Sequence, residues 1–113
     1  MTTHKNKPYT QDDLKRDALR IFNSSLQHKR KRDFERHYIT LGVARELYHF
    51  FEDTKMIFLC NEYYDLGIDA GFIFQEDAER YAERGKQKAQ FLIGAFCKGK
   101  KFIEERLSGL EEL

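Results

Sequence analysis

The sequence predicts an all-α fold, a small helical bundle of three to four helices built on a long antiparallel helical hairpin. Three observations carry this. Apolar residues recur at steps of three and four through most of the 113 residues, the spacing of a buried helix face. One proline and seven glycines are too few to break the chain at the many hairpins of a β-sandwich. Finally, Ala78, Ala82, Gly85, Ala89, Leu92, Phe96, Gly99 and Ile103 form a seam of alternating four- and three-residue steps, sustained over more than three heptads.

Residues 1–9 are polar, hold Pro8, and read as a flexible N-terminal tail; residues 10–113 form a single helical domain. Thr10 is placed to cap the first helix, because its hydroxyl can accept from a first-turn N–H and Asp12 and Asp13 suit the positive end of the helix dipole. Leu14, Ala18, Ile21, Phe22 and Leu26 make the apolar stripe of a helix over about 11–26, with Asn23-Ser24-Ser25 weakening its end. A cationic run, Lys29-Arg30-Lys31-Arg32, separates it from a second helix over roughly 31–52, whose stripe is Phe34, Tyr38, Leu41, Ala44, Leu47, Tyr48 and Phe51. Gly42 inside that helix costs ~1 kcal/mol against Ala unless a neighbour must approach closely there.

Asp53-Thr54 either caps a third helix or lies within a continuous one. The segment 54–66 is apolar nearly all round, the pattern of a buried element, with Gly67 placed as the residue just past its end. Residues 67–74 form a loop, and a fourth helix runs over about 75–107. Its small seam residues invite another backbone to come close. An α+β alternative would use Ile39–Val43, Met56–Cys60 and Phe72–Phe74 as short strands, but only the last lacks helical spacing.

Cys60 and Cys97 lie in apolar runs and read as two buried thiols rather than a disulfide framework, as expected of a reducing compartment. Residues 1–20 lack the apolar stretch of a secretory signal, and no window approaches the ~20 apolar residues of a membrane span. The expectation is a cytoplasmic protein without membrane contact. Net charge is +1, but it comes in blocks: +5 over residues 1–37, −7 over 50–79, +6 over 80–102 and −3 over 103–113. Folding the last helix back about residue 70 would bring residue i near residue 140 − i. Lys86 and Lys88 would then meet Glu52 and Asp53, while Glu104, Glu105, Glu111 and Glu112 would meet the Lys29–Arg36 run.

Three groups of residues are candidate sites. Tyr63, Tyr64, Phe72 and Phe74 would make an aromatic partner-binding patch at the loop end, or else close the core there. Lys29, Arg30, Lys31, Arg32 and Arg36, with His37 beside them, could grip nucleic-acid phosphates, although a near-neutral domain and the acidic C-terminus supply a structural use for these cations. Glu46 and His49 form a Glu-x-x-His pair on one helix face, the spacing used in di-iron bundles; a dimer would supply the second pair, with Glu79 or Glu83 as further ligands. No Ser–His–acid set, Cys-x-x-Cys pair or phosphate loop is present. The leading expectation is a small non-enzymatic helical interaction or regulatory protein. It would need no cofactor and would act as a homodimer with an unidentified protein partner. Nucleic-acid association is the alternative, and a metal-binding bundle comes third.

Overall fold

The computed structural model describes residues 10–98, which form four helices: α1 (Gln11–Arg30), α2 (Phe34–Phe50), α3 (Thr54–Asp69) and α4 (Gln75–Lys98). No strand occurs among the described residues, so Ile39–Val43 and Met56–Cys60 are helical and Phe72–Phe74 is loop. The expected tail over 1–9 and the stretch from Gly99 to Leu113 lie outside the described residues.

The start of α1 is a capping box. The Asp13 N–H donates to Thr10 Oγ1 at 3.1 Å, and the Thr10 N–H donates to Asp13 Oδ2 at 2.9 Å. That backbone hydrogen bond, with Arg16 beside it, holds the Asp13 carboxyl below the usual carboxylate range. The helix passes through Asn23-Ser24-Ser25 and ends at Arg30, beyond the expected residue 26. Ser25 explains why, since its hydroxyl is buried and satisfied by α2 and does not compete with the helix.

The first two turns share one construction. At the α1–α2 turn Arg32 adopts φ +62°, the Arg32 N–H donates to Lys29 O, and the Asp33 N–H donates to His28 O. At the α2–α3 turn Glu52 adopts φ +57°, with Glu52 donating to His49 O and Asp53 to Tyr48 O. Both are Schellman closures with a left-handed residue just past the helix. In each, the following aspartate caps the next helix: Asp33 Oδ1 accepts from the Arg36 N–H and Asp53 Oδ1 from the Met56 N–H, both at 3.2 Å. Helix α2 is therefore 34–50, not 31–52, and Asp53-Thr54 begins a separate helix. The third turn repeats the pattern with a glycine, Gly71 at φ +81°, where Phe72 donates to Gly67 O. Gly67 is consequently inside α3, which runs to Asp69, and the loop shrinks to 70–74.

Helix α2 is the centre. Residues 37–44 are buried without interruption, and α1, α3 and α4 all pack on it. The sequence pattern places the buried element at 54–66 instead. There the structure differs: in α3 only Cys60 and Gly67 are buried, and Phe58 is 63% exposed. Apolar content alone does not identify the central helix, because α2 hides polar groups that have found partners. Thr40 Oγ1 donates to Arg36 O at 2.7 Å, and Tyr38 Oη donates to Tyr64 O at 2.6 Å. Gly67 makes room for that hydroxyl; a methyl group there would come within 2.5 Å of it.

Successive helices run antiparallel: α1 with α2, α2 with α3, and α3 with α4 about the 70–74 loop. Ser25 meets His37 and Lys15 meets Phe51 in the first; Tyr38 meets Tyr64 and Arg45 meets Asn61 in the second. The register expected for the last helix is corrected. Phe34 stacks on Phe72 near the start of both α2 and α4, and Phe50 touches Phe96 near the end of both. Between them, Glu35 pairs with Arg84 and Glu46 with Gln90. Thus α4 runs parallel to α2, and a residue i of α2 does not face residue 140 − i; the turn near residue 70 sets α4 antiparallel to α3 instead. The small seam does permit close approach, as its composition predicts: a side chain on Gly42 would overlap the Ala82 carbonyl oxygen, and one on Gly85 the Ile39 carbonyl oxygen. Surface charges separated by solvent discriminate weakly between registers, whereas overlapping backbones do so strongly.

Candidate functional site

Two of the three candidate groups converge on one end of the bundle. The α1–α2 turn and the 70–74 loop meet there through the Phe34–Phe72 pair, whose ring centroids are 5.3 Å apart and nearly coplanar at 20°. The pair helps to line a groove of about 460 Å³, together with Glu35, Ile68, Ile73, Asp77 and Tyr81. Phe72 is 48% exposed and Phe74 is 80% exposed. The Gly71 turn turns these rings outward, since the chain must leave α3 through a left-handed residue before it can start α4.

The four aromatic candidates divide. Phe72 and Phe74 are the surface. Tyr63 and Tyr64 are half-buried and pack inward, Tyr63 edge-on to Phe22 at 5.8 Å and Tyr64 edge-on to Tyr38 at 5.3 Å. Their outer faces are covered by cations, Lys29 Nζ 5.2 Å from the Tyr63 ring and Arg45 5.0 Å from the Tyr64 ring. Burial pushes the Tyr64 hydroxyl up from its ordinary value.

Among the basic candidates, Arg30, Lys31, Arg32 and Arg36 are exposed at the tip, with Arg36 3.6 Å from Asp33. The acidic residues 104–112 expected to cover them lie outside the described residues; the described part of α4 reaches Phe96, beside Phe50 at the other end of α2. On α3 and the start of α4, Asp65, Asp69, Glu76 and Glu79 are exposed, and no Lys or Arg occurs from residue 62 to residue 79.

Within one chain, Glu46 and His49 gather no further ligand among the described residues. Glu46 accepts from Gln90 Nε2 at 3.3 Å, and His49 is exposed. Glu79 and Glu83, the further ligands expected, lie seven or more residues earlier on a helix parallel to α2, and they accept from Gln75 and Gln87. Among the described residues no three His, Cys, Asp or Glu gather to hold an ion. The thiols also divide: Cys60 is buried as expected, with its pKa pushed up to about 12 by burial, while Cys97 is exposed.

The structure adds a pair that sequence spacing does not reveal. His37 is fully buried between Phe34 and Tyr38. Its Nδ1–H donates to the Ser25 carbonyl oxygen, 2.8 Å away, with Ser25 Oγ equally close, and Ser25 Oγ donates to His37 O at 2.9 Å. Nε2 is buried without a partner among the described residues, and burial brings the imidazole pKa down to about 4. The hydroxyl gives its proton to a carbonyl and the ring gives its own to Ser25, the reverse of an activated nucleophile. Twelve residues separate the two, and only the α1–α2 hairpin brings them together.

No family model matches the chain, and neither a curated protein nor a solved structure matches it. Among the described residues, no helix is long and apolar enough to cross a membrane.

Proposed function

We propose that the chain is a small non-enzymatic helical interaction protein of regulatory type, acting through its own dimerisation and through the aromatic end formed by the start of α2 and the 70–74 loop. The observation that carries this is Phe72 and Phe74, exposed where they line a groove of mixed aromatic and acidic character. Large rings left in water next to a preformed concavity are the anatomy of a docking surface, where aromatic anchors supply most of the binding energy. Two thiols that form no disulfide fit work in the reducing cytoplasm.

The test compares wild type with Phe72→Ser/Phe74→Ser by quantitative capture from native lysate. Both positions are exposed, so helix content should be unchanged. Specific partners retained by wild type should be lost by the variant. Equal capture by the two would remove this surface from the reading.

A second reading is favoured by one observation, the exposed cations of the α1–α2 turn at the same end as the exposed phenylalanines. Cationic tracks beside stacking rings are how single-stranded nucleic acids are gripped. Fluorescence anisotropy with a short single-stranded oligonucleotide tests it: binding should fall steeply with salt and with Arg30→Ala/Lys31→Ala/Arg32→Ala. Absence of binding at low salt ends it.

A further inference from the structure

The aromatic end carries both signs of charge, concentrated on different elements, with the Arg84–Glu35 pair joining α4 to α2. The α1–α2 turn presents Arg30, Lys31, Arg32 and Arg36; the α3–α4 side presents Asp65, Asp69, Glu76 and Glu79. Phe34 opens α2 directly after the basic turn, and it stacks on Phe72 of the loop that leads into the acidic start of α4. The two charged lobes therefore flank one apolar strip.

We propose that the occupant of this end is a second copy of the chain, docked end to end about a two-fold axis that runs along the apolar strip. A two-fold in the contact plane carries the basic lobe of one copy onto the acidic lobe of the other, and does so twice, while the Phe34–Phe72 strips of the two copies meet on the axis. The charge layout selects this occupant over others. A basic partner would match the acidic lobe and be repelled by Arg30 to Arg32. An acidic partner or a phosphate backbone would match the basic turn and be repelled by Asp65, Asp69 and Glu76. A surface that offers both signs around a ring pair is this surface itself. The inference rests on the reading of the aromatic end as an interaction surface and names what covers it.

Sedimentation equilibrium of the full chain tests the proposal. Wild type should be dimeric at tens of micromolar and should dissociate about tenfold more readily when salt rises from roughly 50 to 500 mM, since exposed charge pairs are screened. Arg30→Glu/Lys31→Glu and Asp69→Lys/Glu76→Lys should each be monomeric at the same concentration, with helix content checked by circular dichroism. An equimolar mixture of the two variants should regain the dimer, because opposite reversals restore one complementary pair of lobes. A wild-type monomer at about 100 µM, a dimer indifferent to salt and to both reversals, or a mixture that stays monomeric would each overturn the proposal. If wild type is monomeric yet Phe72→Ser/Phe74→Ser still loses partner capture, the second copy is excluded and the docking surface stands.

Discussion

Gly85 of α4 lies against the main-chain carbonyl of Ile39 in α2 so closely that a methyl group on Gly85 would overlap the oxygen and stand 2.9 Å from the Val43 nitrogen. Gly42 makes the reciprocal contact with Ala82. At this crossing backbone meets backbone, and no flexible side chain can move aside. Ala is the better helix former by ~1 kcal/mol, so propensity alone would make Gly→Ala stabilising. Overpacking costs typically ~1–3 kcal/mol and here must displace a helix. Gly85→Ala and Gly42→Ala should therefore each lower the urea midpoint. The control is Gly94, half-buried on the same helix, where a methyl group would have nothing within 4 Å; Gly94→Ala should raise the midpoint or leave it unchanged.

The turns at Arg32 and Glu52 argue in the opposite direction. Both residues sit at φ near +60°, a region that costs an L-residue roughly 1 kcal/mol or more relative to glycine. Both side chains are exposed, so their removal sacrifices no core packing. Arg32→Gly and Glu52→Gly should each stabilise the fold by about 0.5–1 kcal/mol, somewhat offset by the looser unfolded chain. Thermal melts of the two variants check this. A loss of stability in both would mean that the left-handed turns are not formed in solution.

These turns also show where the sequence stops being legible. The helices, their order, the Thr10 cap and the special status of Gly42 can all be read from spacing and residue type. The exposed pair Phe72 and Phe74 can be anticipated too, because they follow a turn glycine. Arg32 and Glu52 cannot, since nothing in an Arg or a Glu announces a positive φ; the pull comes from the aspartate that follows and caps the next helix. The direction of α4 is equally hidden. Its charge blocks suggest an antiparallel register, but the contacts that decide it are glycines against carbonyl oxygens, which appear in a sequence only as small residues. Likewise α2 is central because His37, Thr40 and Tyr38 find hydrogen-bond partners, and hydropathy scores those residues as polar.

His37 predicts a specific acid sensitivity. Burial lowers its pKa from the ordinary 6.5 to about 4. Between those values the unfolded chain binds a proton that the folded chain refuses. Stability is thus fully present above about pH 6.5 and is lost as pH falls toward 4, with a size on the order of 3 kcal/mol at most. His28, lowered chiefly by burial, acts in the same sense. His37→Asn keeps an amide donor near the Nδ1 position but cannot titrate. It should be less stable at neutral pH, yet its melting temperature should change less between pH 7.5 and 4.5 than that of wild type. Parallel pH profiles would assign the acid loss to other groups.

The two thiols separate local from global opening. Cys97 is exposed near the end of α4, whereas Cys60 is fully buried on α3 against α2, and burial holds its thiol at about 12. Only a thiolate attacks a disulfide reagent, so Cys60 is protected twice, by access and by protonation. At mildly alkaline pH, Cys97 should react in the native protein and Cys60 should react only when α3 leaves α2. Because α3 keeps much of its own surface exposed and has few neighbours besides α2, it is the helix most free to open alone. The rate at Cys60 in a Cys97→Ser background then measures that opening. If its free energy falls below that of global unfolding by urea, α3 detaches as a unit; if the two agree, Cys60 becomes accessible only when the Gly42–Ala82 and Gly85–Ile39 crossing also comes apart.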